Sequence, residues 1–517
     1  MTDVAGAPVE DVKVITTTVR AAVPTAGQPY EKNVSTPSDK AKEMFEHAQL
    51  PRTLIGGTRA MRKAGKKYLP QEPLESDEAY QNRLERTVLY NAFSHAVRNL
   101  AGKMLAKGAK VKEKTPKQIA DLLDDVDLQG RNLDVFIKDC VEDAMTVGLT
   151  HILVDHPVVG GNQKIPMSVA DEKALGVRPY MVHIKSERII GWKVDRVNGI
   201  DKLMMVRIVE HVTVPDGQWD EKEIIQIRVL RPGSWETWRE KAVEGGKTEW
   251  AKFDGGETTL KDAIPLITLY TRRTDFMEAK PPLDDLAHMN VAHWQSSSDQ
   301  RHIVHVARVP LLFGTGLDED QGKVEVGPNR LLKGPVGSDL KYVEHGGSAI
   351  RSGVQDLQSI EDKMSVLALE PVLQDKPGTQ TATARSIDTA EAQSVMKTVV
   401  ENIADGISTC FWFMAKWMDL AGTEYGGVTI ECDDPYSLTD AAGLQELSQA
   451  RGRGDISRIA YIKEMKRRGI IAEEYDAEAD QALIDQETPI VIPTAPKKPA
   501  STTIPPGAPG HPVEGNA

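Results

Sequence analysis

Cysteine is scarce in this chain: Cys140, Cys410 and Cys432 are the only three, and they lie far apart. Such spacing excludes a disulfide framework and supplies no metal-binding cluster, so buried free thiols in a reducing compartment are expected. Positive charge is also short, with 63 Lys and Arg against 76 Asp and Glu, a net −13. This balance excludes a surface that grips nucleic acid by neutralising phosphates, and suits one that must avoid sticking to DNA. No apolar run is long enough for a membrane span, and the N-terminus has no basic segment followed by an apolar one. Neither a transmembrane helix nor a signal peptide is expected.

Motifs that carry chemistry are missing as well. Asp125-Val-Asp127-Leu-Gln129-Gly130 begins like a calcium loop, but the twelfth position is Phe136 where a bidentate glutamate is required. A turn before a capped helix is the reading. Gly316 and Gly322-Lys323 are spaced wrongly for a phosphate-binding loop, Val324 replaces the magnesium-binding hydroxyl, and Gly314-Thr-Gly316 lacks the third glycine of a dinucleotide fingerprint. Four histidines, His288, His293, His302 and His305, share one predicted helix without metalloprotease spacing. Asp155-His156 and Asp433-Asp434 end predicted strands with no nucleophile beside them. The basic run Arg59, Arg62, Lys63, Lys66, Lys67 is the one local patch that could touch nucleic acid, with a solvated helix face as the favoured reading, and Lys466-Arg467-Arg468 before Gly469 reads as a helix C-terminus. Arg453-Gly454-Asp455 reads as a loop.

What the chain does have is a distinctive order of parts. Residues 1–50 predict a flexible N-terminal arm and 491–517 a disordered, proline-rich tail. Ser76, followed by Asp77 and Glu78, predicts a helix carrying Tyr80, Leu84, Val88, Asn91, His95 and Val97 toward Lys107. Leu133 to Leu149 predicts a second helix stopped at Gly148, and His151 to Asp155 a strand. Residues 178–270 turn strand-rich, with alternation at Met181–Lys185, Val206–Val212 and Ile225–Val229 and a hairpin turn at Asp216-Gly217.

From Pro281-Pro282 a helix carries Leu283, Leu286, Ala287, Val291 and Trp294, with a polar middle from Gln295 to His302 that suits a wet channel or a subunit seam. A small β module then precedes a stripe of Ile350, Val354, Leu357, Ile360, Met364 and Leu367 ended by Pro371. A polar loop leads to a long helix with Ile387, Val395, Val399, Ile403, Ile407, Cys410, Phe411 and Met414 on one face, where Gly406 predicts a kink or close packing. The strand Val428–Cys432 and short helices around Gly454 and Gly469 complete it. Helices, then strands, then helices indicate an α+β fold.

Several residues tie that order to a family: Tyr80-Gln-Asn-Arg83 with Asn91; Asp125-Val-Asp127 through Gly130 and Phe136; and Gly148 to Pro157, ending Leu153-Val-Asp-His-Pro157. With them go Pro282-Leu-Asp-Asp-Leu-Ala-His-Met-Asn-Val-Ala-His293, Ser296 and Asp299, and Thr381-Ala-Thr-Ala384. In these the chain resembles the portal proteins of tailed phages, in particular a subgroup long catalogued only as an uncharacterised phage family. The resemblance implies a ring, typically a homododecamer, at one capsid vertex of the virion, assembled in the bacterial host cytoplasm. Residues 51–280 would be the wing, helical and then strand-rich, 281–308 and 349–370 the stem helices, and 309–348 the β-rich clip. The tunnel loop would be 371–383, a long helix and wing strand 384–435, and the helical crown 436–490.

By the same resemblance Gln374, Asp375, Lys376, Thr379 and Gln380 would face DNA, and Gln295, Ser298, Asp299 and His302 would line the stem channel. Asp318, Glu319, Asp320 and Lys323 would dock partners at the clip. The partners implied are further copies of the chain, double-stranded DNA, the terminase motor, a head–tail adaptor, and the major capsid and scaffolding proteins. No catalysis, cofactor, metal or membrane is implied. Lys376 is the only cation in the tunnel loop, which suits a passive conduit, because a sliding polyanion needs weak, evenly spread contacts. Two alternatives stand beside this: a metal-dependent nuclease or hydrolase using the histidine-bearing helix with Asp155 or Asp433, and a capsid scaffold or adaptor enclosing no channel.

Overall fold

Capping side chains set where the first helices begin. The Ser38 hydroxyl accepts the Ala41 N–H at 3.3 Å and opens α1 (Asp39–Ile55), which α2 (Gly57–Ala64) follows directly. Ser76 does the same for α3 (Asp77–Arg86), accepting from Ala79 N at 3.2 Å, with Asp77 and Glu78 complementing the dipole. The single helix expected from Ser76 toward Lys107 is in fact two. Thr87 is extended, and the Asn91 side chain accepts from Ser94 N at 3.0 Å to start α4 (Ala92–Met104). Two adjacent β-branched residues, Thr87 and Val88, followed by a cap, end one helix and restart another. Strand β1 (Ala109–Val111) and a single turn, α5 (Lys117–Ala120), lead to α6 (Leu133–Val147). Asn132 caps α6, and Gly148 ends it with φ 99°, the stop that the sequence predicts.

The computed structural model describes residues 33–157, 177–243, 247–308, 311–315, 336–337, 339–343, 347–368, 382–422, 424–432, 441–467, 470–471, 475–476 and 479–480. The chain divides into two units, Met1–Asp433 and Asp434–Ala517. Within the first, β2 (Leu149–Asp155) is the middle of a three-stranded antiparallel sheet, flanked by β3 (Tyr180–Ile184) and, from further along the chain, Leu266–Tyr270. Six of the seven β2 residues are buried, as befits a strand covered on both faces. Five longer strands form a second antiparallel sheet in sequence order: β4 (Ile189–Val197), β5 (Ile200–Asp216), β6 (Asp220–Arg231), β7 (Ser234–Val243) and β8 (Lys247–Glu257). The predicted turn at Asp216-Gly217 joins β5 to β6, and Gly217 has φ 81°. The third strand of the smaller sheet is β9 (Leu266–Tyr270), and β10 (Arg273–Asp275) and β11 (Glu278–Ala279) make a small ribbon.

Helix α7 (Asp284–Ala307) comes next, then an antiparallel pair, β12 (Leu311–Thr315) and β13 (Asp339–Val343), then α8 (Ser348–Leu367) and the 36-residue α9 (Ala382–Trp417). Strand β14 (Val428–Ile430), shorter than the expected Val428–Cys432, pairs with β1 and so brings the C-terminal end of this unit back to its helical first part. Met396, Val399, Ile403, Ile407, Phe411 and Met414 of α9 are buried in one core with Phe93, Leu100, Phe136, Ile152 and Trp294. Close packing rather than a kink explains Gly406: α9 is continuous there, and a Cβ would stand 2.2 Å from Leu269 Cδ2. The second unit holds α10 (Ala441–Arg453) and α11 (Arg458–Arg467). With both helices and sheets in separate stretches, the fold is α+β.

Candidate functional site

Helix α7 is tied to the body by polar side chains. Asn290 Oδ1 accepts from Phe93 N at 3.0 Å while its Nδ2 donates to Tyr90 O at 2.8 Å. Gln295 Nε2 donates to Tyr68 O at 3.0 Å, and the Thr87 hydroxyl donates to Ser298 Oγ at 2.9 Å. Arg83 closes this seam: two nitrogens donate to the Glu75 carboxylate at 2.8 Å, Nη2 also to Pro70 O, and Nη1 approaches Ser298 Oγ at 3.5 Å. These bonds hold the Glu75 carboxyl below its usual range.

The four residues expected to line a channel therefore separate. Ser298, only 1% exposed, points into the protein and is removed from any lining, because Thr87 and Arg83 occupy its face. Gln295 is committed to a carbonyl. Asp299 and His302 stay exposed on the last turns of α7, with Asp299 Oδ1 3.6 Å from Arg83 Nη1 and its carboxyl raised by desolvation against that charge. The polar middle of α7 is thus largely a satisfied internal seam, which long-range partners make tolerable.

A different face of α7 meets α8 through a ladder of polar contacts. Gln300 Nε2 donates to Ile350 O at 2.9 Å, the Ser296 hydroxyl donates to Asp356 Oδ2 at 2.6 Å, and His293 Nε2 lies 3.1 Å from Glu361 Oε1. Gly353 lets the helices approach, since a Cβ there would sit 1.9 Å from Gln300 Oε1. Toward the body the seam becomes apolar at Trp294 and Met364, both buried. Away from the body the pair emerges into solvent, with Val306 53% and Val354 55% exposed, and the β12–β13 hairpin continues beyond with Phe313 half exposed. None of Asn290, Gly353, Asp356 or Glu361 was singled out from sequence as a partner. The available signal was the polar stripe 293, 296, 300 at helical spacing.

The remaining candidates fall elsewhere. Gln374, Asp375, Lys376, Thr379 and Gln380, and Asp318, Glu319, Asp320 and Lys323, lie outside the described residues, as do Asp433-Asp434 and the glycines near Lys323. The Asp125 turn is closed by its own chain: Asp125 Oδ1 accepts from Gly130 N at 2.8 Å, Asp127 pairs with Arg131, and Asp125 with Arg178. Asp155 pairs with Arg228, and His156 stacks on Trp417. His288, His302 and His305 are exposed and His293 is buried. Among the described residues no three His, Cys, Asp or Glu side chains are placed to share a metal ion, and no helix is long and apolar enough to cross a membrane. All three cysteines are free, and burial pushes the Cys140 and Cys410 thiols up.

A family described as a domain of unknown function (DUF4055) matches residues 282–418, from the start of α7 to just past the end of α9, about a quarter of the chain. No curated protein sequence matches. Among solved structures, a chain in the neck of an empty gene transfer agent particle computed with C6 symmetry is similar at 12% identity and a TM-score of 0.37, over 76% of this chain and 89% of that one. A chain from the virion of the native gene transfer agent particle gives 12%, 0.35, 76% and 89%, and one from the native neck computed with C12 symmetry 14%, 0.36, 73% and 89%.

Proposed function

We propose that this chain is the repeating subunit of a portal ring, seated at one vertex of a virion, through which double-stranded DNA passes. One observation carries the reading: two long antiparallel helices, α7 and α8, leave the body joined through a β-hairpin, with apolar side chains on their outer halves left in water. Such an outgrowth is incomplete in a lone chain. Side-by-side copies under closed cyclic symmetry would bury Val306 and Val354 against neighbours and enclose an axial hole. In this reading 281–308 and 349–370 are the stem, 309–348 the clip that docks the terminase motor and later a head–tail adaptor, and 371–383 the tunnel loop. The strand-rich body is the wing, set among capsid and scaffolding proteins, and 436–490 the crown. The ring, a dodecamer, guides DNA without catalysing a reaction, and the net charge of −13 keeps a sliding polyanion from sticking.

Negative-stain imaging and native mass spectrometry of the purified chain test this. Rings with an axial hole are expected; a stable monomer at micromolar concentration overturns the reading. Shortening residues 375–381 is expected to leave ring assembly intact and impair DNA packaging, and unchanged packaging would remove the tunnel-loop assignment.

A further inference from the structure

Two patches of opposite charge sit on different elements of the first unit. Between Glu46 and Glu72 the sequence has no acidic residue but carries Arg52, Arg59, Arg62, Lys63, Lys66 and Lys67, in a chain whose net charge is −13. Arg52 is consumed internally by Asp143 and Glu187, and Arg62 donates to Thr87 O. Arg59 and Lys63 are one turn apart on α2, Lys66 and Lys67 follow in the next turn, and all four are exposed. Lys66 has a distant, exposed partner in Asp77, at 3.5 Å, and lies over the Tyr80 ring, while Lys67 lies over the Tyr68 ring.

The second patch is the end of a projecting arm. β4 pairs with β5 only as far as Ile208, and β7 pairs with β6 only from Gln226, so from His211 to Ile225 the β5–β6 hairpin is a two-stranded ribbon. Ribbons of this kind are marginal in water. At the tip Asp216 lies directly opposite Asp220, a like-charge cross-strand pair that weakens the hairpin it closes. Between them stands Trp219, 87% exposed. Carboxylates flanking an indole face are what Arg and Lys bind best, by charge and by cation–π contact.

We infer that the tryptophan-tipped acidic arm of one subunit docks on the Arg59, Lys63, Lys66 and Lys67 face of the next. The occupant is a second copy of this chain, because both halves of the contact are present on it and their charges are complementary. Two different patches on one chain make a head-to-tail contact, the kind that closes into a ring. The inference rests on the ring reading above and names where neighbouring subunits meet.

A charge exchange tests it, with circular dichroism melts to check that each variant folds and native mass spectrometry at one micromolar-range concentration to count subunits. The face-reversed variant Arg59→Glu/Lys63→Glu/Lys66→Glu/Lys67→Glu and the arm-reversed variant Asp216→Lys/Asp220→Lys are each expected to remain folded and lose the ring. Combining all six changes in one chain should restore it. Mixing the two reversed variants should restore it as well, with equal numbers of each, since every arm then finds an opposite face. Trp219→Ala is expected to raise the concentration for half-assembly about tenfold. Rings that persist in both reversed variants, or fail to return on exchange, overturn the inference while leaving the ring itself intact. Persistent rings together with lost binding of a short DNA duplex by the face-reversed variant would assign the face to DNA instead and equally overturn it. A wild-type chain that never assembles overturns the ring reading first.

Discussion

Asp143 is buried between α1, α6 and β2, and its two oxygens serve three neighbours. Arg52 Nη1 lies 2.5 Å from Oδ1, while the Thr150 hydroxyl donates to Oδ2 at 2.7 Å and His183 Nε2 stands 3.4 Å away. Glu187 holds the other side of the Arg52 guanidinium. Burial alone would push the Asp143 carboxyl up, but the Arg52 charge and the His183 contact outweigh it and hold the carboxyl well below its usual range. A carboxyl depressed in the native state stabilises the fold fully above its unfolded value, about 3.9, and loses that contribution as the pH falls toward the native value. Asp143→Ala is expected to cost about 3–5 kcal/mol at neutral pH, since it strands a buried guanidinium. The deficit should shrink below about pH 4. Urea melts of both proteins at pH 7 and pH 3 measure it, and a deficit independent of pH would refute the assignment. A second residue-scale device involves Gly191, which faces Arg207 across β4 and β5. The guanidinium crosses that glycine to donate to Val34 O at 2.7 Å and Thr36 O at 2.8 Å, and a Cβ on residue 191 would stand 2.4 Å from Arg207 Nη2. Gly191→Ala should cost about 1–3 kcal/mol by overpacking. Faster amide exchange at Val34 to Ser38 would accompany it; unchanged exchange there would refute the clasp.

At the scale of elements, the contact between α7 and α8 depends on Gly353 and Gln300 together. Alanine is a better helix former than glycine by about 0.8–1.0 kcal/mol, yet its Cβ would displace the Gln300 amide from Ile350 O, costing about 1–3 kcal/mol for a buried amide. Gly353→Ala is therefore expected to destabilise the natural chain but to stabilise a Gln300→Ala background, a change of sign that thermal melts of the four proteins would reveal. The same sign in both backgrounds would refute the coupling. This pair also marks the limit of what the sequence makes legible. The cap at Asn132, the stop at Gly148 and the alternation of β3, β5 and β6 are local signals, so the elements they specify are predictable one by one. The interruption at Thr87 is local too, but helical periodicity running through Val88 to Val97 masks it. Ser298 and Gln300 are different in kind. Their burial is set by Arg83 and Thr87, more than two hundred residues earlier, and by Ile350, fifty residues later. A polar stripe looks alike whether its partner is water or a distant side chain.

For the molecule as a whole, the question is what the apolar side chains on this outgrowth are for. Val306 and Val354 are each about half exposed, so in the proposed ring covering them against a neighbour would gain roughly 1 kcal/mol apiece at every contact. That is too little to hold two subunits together against the cost of association, but a ring closes every contact at once and leaves no open end. Assembly should accordingly be cooperative and sensitive to small changes at these positions, while the isolated fold is indifferent to them, because neither side chain belongs to the core. Val306→Glu/Val354→Glu is expected to shift the melting free energy of the dissociated chain by less than about 0.5 kcal/mol. Rings at concentrations where the natural chain assembles should nonetheless be abolished, as light scattering after size exclusion would show. A ring that tolerates two glutamates in that seam would mean that the helices α7 and α8 do not face their neighbours, and the stem assignment would go with it. Loss of the fold itself would instead place these valines in a core that the lone chain already completes.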